Sequence, residues 1–282
     1  MGSLAGWIWY HLFPIRVATV KENLDYVYGD SLTPSKRNAI ARESCRQLAM
    51  NIIESFTIPN LNQPSAKERF QFHNLDLFEE IAQPGKGACV VSLHMGNFEL
   101  AIAKMACLGF PIHIIYREIS WAAAHDFWNL VREQTGIRAI SHRRSKDRIK
   151  EVLTNGEYVG FASDQHMPPH RGVVCEFMGR LASTTPAASR FAIEANANII
   201  LTYTLRSHED PSVHHIYFEP FELELPHATQ NENIYHNTQR LSDWMGKKVR
   251  EHPEQWLWQH KRFKVKDILD TYHVPEHLKN LI

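Results

Sequence analysis

The sequence lacks the features that would announce a class by themselves. It holds only four cysteines in 282 residues, Cys45, Cys89, Cys107 and Cys175, far apart and with no C-x-x-C pair. That argues against a disulfide framework or a cysteine-based zinc site and describes buried thiols in a reducing compartment. No apolar run reaches the ~18 residues that a membrane-spanning helix needs. Neither sign of charge dominates, since 31 Lys and Arg balance 31 Asp and Glu, so no global field points to nucleic acid. There is no internal repeat, no low-complexity tract and no obvious linker. What remains is an ordinary globular composition, 44% hydrophobic and 22% charged, long enough to bury one sizeable core.

The N-terminus is the first positive feature. Trp7, Ile8, Trp9, Tyr10, Leu12, Phe13 and Ile15 crowd residues 4–17, interrupted by His11 and Pro14. The run is too short to span a bilayer, and it lacks the basic start and cleavage site of a secretory signal. Its rings suit either a membrane interface or packing against the core. From Thr33, a capping residue followed by Pro34, apolar residues recur at helical spacing through Ile40, Cys45, Leu48, Ile52, Ile53 and Phe56. Pro59 and Pro64 mark a break, and a second helix is expected over 66–81. Beyond Pro84-Gly85, short apolar runs at 88–93, 112–116, 138–140, 158–162, 173–177, 199–205 and 215–218 read as strands. Helical patterns at 97–108, 121–134, 146–153, 185–195 and 231–252 fall among them. The pattern predicts one α/β domain: a helical lobe over 1–82, an α/β core over 83–264 and a tail over 265–282.

The first apolar strand ends at His94, and ligands of open α/β sheets gather beyond the carboxyl ends of strands. Met95-Gly96-Asn97-Phe98-Glu99 follows. Gly96 permits a tight turn, Asn97 is a good N-cap, and Glu99 then falls in the first helical turn, where the helix dipole favours a carboxylate. Such a carboxylate can hold one ring nitrogen of His94 and leave the other as a base for a nucleophile that the substrate supplies. On spacing alone, His94 satisfying a turn and Glu99 complementing the dipole remains open. So does a metal reading of Asp164, His166 and His170, against which Pro168-Pro169 splays the two rings. The rings of His214 and His215, in an apparent strand, point to opposite faces.

Four blocks in order carry a resemblance to a known family. VVSLHMGNFELA resembles the HxxxxE block of the late lipid A biosynthesis acyltransferases, the lauroyl and myristoyl transferase type. Tyr116-Arg117 follows the next strand as the family's Tyr-Arg does. Asp164-Gln165, with Gly172, Val173, Val174, Phe177, Met178, Gly179, Ala182 and Thr184 after it, resembles the Asp-Gln element and its V-x-F-F-G-x-x-A-x-T stretch. Pro253-Glu254-Gln255-Trp256-Leu257-Trp258-Gln259-His260-Lys261-Arg262-Phe263 resembles the specific C-terminal signature, and Asn23-Leu24 fits a further family pair.

The resemblance runs from about residue 14 to 264. It implies a glycerolipid-acyltransferase-like fold, with a mixed, largely parallel sheet flanked by helices and an N-terminal helical lobe. It implies His94 as general base, Glu99 as its orienting partner, and Arg117 and Asp164 as further active-site polar residues. Asn97, Gln165 and Arg262 become candidate substrate-binding residues. The reaction implied is transfer of a fatty acyl group from an acyl-carrier protein or acyl-coenzyme A thioester to a hydroxyl of a glycolipid, with no metal and no organic cofactor. The place implied is peripheral, at the cytoplasmic face of a bacterial inner membrane. Two departures stand out: His166 where a second acid is common, and a short aromatic run where an apolar anchor is common, from a shortened chain or from peripheral binding. The same chemistry on an aminolipid or a mannolipid, and an inactive lipid-binding protein, are the alternatives. Basic clusters at 143–150 and 261–266 could dock an acidic carrier or lipid phosphates. Trp256, Trp258 and Phe263 among basic residues superficially suit single-stranded nucleic acid, but the balanced charge and the absence of an RNA-binding motif argue against it.

Overall fold

The computed structural model describes all residues except 1, 13, 82–85, 117–121, 144, 226, 272–273 and 282. The helices are α1 (Gly2–His11), α2 (Val17–Tyr28), α3 (Pro34–Ser55), α4 (Asp76–Ile81), α5 (Phe98–Cys107), α6 (Ala122–Thr135), α7 (Ser145–Thr154), α8 (Ala187–Glu194), α9 (Gln230–Glu251) and α10 (Val265–Thr271). The strands are β1 (Phe70–His73), β2 (Ala88–Ser92), β3 (Ile112–Tyr116), β4 (Arg138–Ser141), β5 (Tyr158–Ala162), β6 (Val173–Phe177), β7 (Arg180–Thr184), β8 (Asn198–Arg206) and β9 (His214–Phe221). They fall into two compact units, one of Glu54–Ala162 and Ala187–Leu223, the other of Met1–Ile53, Ser163–Pro186 and Glu224–Ile282. These units are interleaved along the chain.

The first unit is built on a seven-stranded sheet in the order β1-β9-β8-β2-β5-β3-β4. Every pairing is parallel except that of β8 with β9. Parallel strands need both faces covered, and β2 shows it: all five residues of its Ala-Cys-Val-Val-Ser run are buried. On one face Ala88, Val90, Ile112, Tyr158, Ile200 and Phe218 pack with Leu100, Ala103 and Met105 of α5. On the other, Phe161 stacks on Phe191 of α8 at 6.1 Å between ring centroids. The mixed, mostly parallel α/β architecture is therefore as expected.

Two stretches differ from the sequence reading. The helix expected over 66–81 is a 3-10 helix (Pro64–Arg69), then β1, then α4. Phe70 and Phe72 lie two apart, Asn74 turns the chain at φ +60°, and the backbone of 70–73 finds its partner in β9. Along α3, Ile52 and Ile53 are 46% and 40% exposed, and Phe56 just beyond it is 68% exposed, although the helical pattern placed all three on the apolar face.

The second unit carries α1, α2, most of α3, the antiparallel hairpin β6–β7, α9 and α10. Thr33 caps α3 as expected, its hydroxyl accepting from the Lys36 backbone. A capping box of Thr229 and Glu232 opens α9. Ile268, Val274 and Leu278 of the C-terminal segment pack on Val174 and Leu181 of the hairpin.

Candidate active site

At the carboxyl end of β2 the chain makes a three-residue turn centred on His94, closed by Met95 N donating to Leu93 O at 2.8 Å. Gly96 follows with φ +54°, and a Cβ there would lie 2.3 Å from the Thr204 carbonyl oxygen. Only glycine meets both conditions, so the turn rests directly on the backbone of β8. Asn97 then caps α5, its Oδ1 accepting from Leu100 N at 3.2 Å. From Leu93 to Leu100 only His94, Phe98 and Glu99 are partly exposed.

His94, Phe98 and Glu99 line a pocket of about 230 Å³ between α5 and the sheet face beneath it. The His94 ring meets Phe98 edge to face at 4.6 Å. Ser92, Thr202 and Thr204 add the remaining polar side chains, and the other lining is apolar, including Val90, Ile102, Met105, Ile112 and Trp128. Gly160 in the middle of β5 leaves part of this space open. A few polar side chains in a mostly apolar lining suit a reactive carbonyl carried on a hydrocarbon chain.

The turn is braced from α3. Glu54 Oε2 accepts from Asn97 Nδ2 at 2.7 Å, and Ser55 Oγ donates to Glu99 Oε2 at 3.0 Å. Arg206, 1% exposed in its side chain, grips both carboxylate oxygens of Glu54. Sequence reasoning missed these three residues, and no local pattern marks them.

The second unit holds Asp164, Gln165 and Arg262 of the expected residues. Asp164 is 1% exposed, and its Oδ2 accepts from Trp256 Nε1 at 2.7 Å. Arg262 is fully buried; its guanidinium donates to the carbonyls of Gln165 at 2.9 Å and Ser183 at 2.7 Å and to Thr184 Oγ1 at 2.7 Å. Burial pulls Arg262 down to about 10, with Asp164 opposing the shift, so it stays charged at neutral pH. Asn23 Nδ2 donates to the carbonyls of Trp258 and His260 at 2.8 Å, which explains why an Asn-Leu pair accompanies the C-terminal signature.

His166 is 3.8 Å from Asp267, and burial followed by Lys264 and Arg262 drives its ring toward the neutral form. Of the basic clusters, Arg148 pairs with Glu151, Lys150 with Glu194, and Lys264 with Asp267. Arg117 and Arg144 lie outside the described residues. Among the described residues no three His, Cys, Asp or Glu side chains gather as a metal site.

A family profile for bacterial lipid A biosynthesis acyltransferases matches residues 1–265. The lipid A biosynthesis palmitoleoyltransferase of Escherichia coli (strain K12) is 22% identical over 258 residues, covering 90% of this chain and 80% of that protein. The lipid A biosynthesis acyltransferase of Shigella flexneri shows the same identity and coverage. With a profile match along nearly its whole length, the chain belongs to the bacterial lipid A biosynthesis acyltransferase family and is an acyltransferase.

Proposed function

We propose that this chain moves a fatty acyl group from a thioester of carrier protein or coenzyme A to a hydroxyl of a lipid A-type glycolipid, with His94 as general base. The observation that carries the reading is the pocket: a partly exposed histidine and carboxylate in its lining, and an otherwise mostly apolar wall suited to a hydrocarbon chain. An alcohol attacks a thioester slowly while it keeps its proton. One nitrogen of His94 takes that proton as the alkoxide oxygen bonds to the carbonyl carbon, and Glu99 holds the ring and its developing charge. Backbone N–H groups of the Gly96–Asn97 turn, or Arg117, receive the oxyanion. The C–S bond then breaks, the imidazolium returns its proton to the thiolate, and ester and free thiol leave. No step calls for a metal or an organic cofactor.

Asp164, held by Trp256 Nε1, stands in this reading as a further active-site polar residue, and Gln165, whose carbonyl Arg262 holds, as a substrate-binding one. No helix among the described residues is long and apolar enough to cross a membrane. Trp7, Leu12 and Ile15, 53–63% exposed, support contact with the membrane surface where the acceptor resides.

Mass spectrometry of total lipids tests this reading in cells with and without the wild-type and His94→Ala proteins. One lipid should gain a fatty acyl mass with the wild type alone, while His94→Ala accumulates as a folded protein. Acylation that persists with His94→Ala removes the general-base role.

A further inference from the structure

The dipeptide Glu54-Ser55 ends α3, 43 and 44 residues upstream of the side chains it holds. Its two members grip the two ends of one short segment. Glu54 takes the amide of Asn97, which caps α5, and Ser55 donates to the carboxylate of Glu99, in the first turn of the same helix. We propose that Ser55 is a positioning residue for acyl transfer, orienting the Glu99 carboxylate through the hydrogen bond from its hydroxyl. This inference rests on the acyl-transfer reading of the pocket and assigns a part of that machinery which lies outside the HxxxxE block.

A glutamate has three side-chain torsions, and a carboxylate anchored only at its Cα does not present a fixed oxygen to an imidazole. A hydrogen bond to a charged acceptor is stronger than a neutral one, and at 3.0 Å the Ser55 hydroxyl sets the plane of the Glu99 carboxylate. The donor is itself immobile. Ser55 is half-buried and follows Glu54, whose carboxylate is clamped by Arg206 and bonded to Asn97. Arg206 in turn donates to the Pro211 carbonyl at 2.6 Å, so the brace runs without a flexible link from α3 through β8 to the turn after it. Support of this kind around a reactive group is what holds it within a fraction of an ångström of working geometry.

The test uses the full-length protein, lauroyl-coenzyme A and lauroyl-carrier protein as donors, and a lipid A precursor in mixed micelles as acceptor. Wild type and His94→Ala are compared first, then Ser55→Ala and Ser55→Thr. We expect Ser55→Ala to lower kcat about tenfold with KM for donor and acceptor within about twofold, because an orienting bond acts on the chemical step. Ser55→Thr, which keeps the hydroxyl, should recover most of the loss, and the melting temperatures of the serine variants should match the wild type. A Ser55→Ala protein with wild-type kcat overturns the proposal. So does a loss matched by a lowered melting temperature and not recovered by threonine, since that is a packing effect. If His94→Ala is as active as the wild type, the reading of the pocket fails and the Ser55 role falls with it. The first pair of proteins thus separates that failure from a failure of Ser55 alone.

Discussion

Glu54 sits under opposing influences whose balance can be measured. Burial raises its carboxyl, but hydrogen bonds and charge from His214 and Arg206 outweigh it and hold the group at about 2. Of the two partners Arg206 dominates: it contacts both oxygens, whereas His214 Nε2 is 3.5 Å away and burial drives that ring toward its neutral form. A carboxyl depressed in the folded state stabilises fully above its unfolded value and loses that contribution as pH falls toward the folded one. The pair should therefore contribute roughly 3 kcal/mol at most near neutrality, decaying from about pH 5 downward. Removing one partner would strand a buried charge, so the useful variant is the double one, Glu54→Gln with Arg206→Met. Urea unfolding between about pH 6 and pH 3 should show a shallower pH dependence in the double variant than in the wild type. Parallel curves would mean that the pair contributes nothing to acid stability.

Among the strands, β5 holds a position at which the proposed acyl pocket can be tested. Gly160 lies mid-strand between β2 and β3, where glycine normally weakens a sheet. A Cβ built there meets only His113 O at 3.7 Å and a methyl of Ile114 at 4.0 Å, so a side chain fits without moving backbone. Because Gly160 lines the pocket, that side chain would occupy the space ascribed to the acyl chain. Each methylene buried contributes about 0.8 kcal/mol, about fourfold in affinity. Gly160→Leu should therefore shift the preferred donor to a chain shorter by several carbons while leaving the melting temperature near the wild-type value. Competition among acyl-coenzyme A donors of graded length measures it; an unchanged preference would place the acyl chain elsewhere.

Strands 112–116, 158–162 and 173–177 were legible to the residue because each is a short apolar run bounded by turn residues. His94, Gly96, Asn97 and Glu99 were legible because a strand end, a tight turn and a cap are local events. β1 was not, since its four residues become a strand only by pairing with β9 about 140 residues later. The Glu54–Asn97, Ser55–Glu99 and Glu54–Arg206 contacts were hidden for the same reason, joining α3 to residues 43 to 152 positions away. Arg262 was legible as important, but its burial was not: a conspicuous basic residue in a signature reads as a substrate contact until its donors are traced to backbone carbonyls.

The whole molecule carries a formal net charge of zero at neutral pH. On the proposed reading the chain meets a lipid acceptor at a bilayer, and with no excess positive charge the expected contact is apolar more than electrostatic. The exposed apolar side chains of the second unit fit that demand: Trp7, Leu12 and Ile15 near the N-terminus, and Ile52 and Ile53 on α3. Trp7, Leu12 and Ile15, close in sequence and 53–63% exposed, have the composition expected of the proposed interfacial contact. Co-sedimentation with mixed phosphatidylethanolamine–phosphatidylglycerol vesicles should thus change less than about twofold between roughly 50 and 300 mM salt, where screening shortens from about 14 to 6 Å. Leu12→Glu with Ile15→Glu should release most of the bound protein at either salt, because two charges would have to enter the interface. It should leave turnover intact on an acceptor presented in detergent micelles, since neither residue lines the pocket. Strong salt sensitivity in the wild type, with the double variant still bound, would instead assign membrane contact to the basic clusters at 143–150 or 261–266.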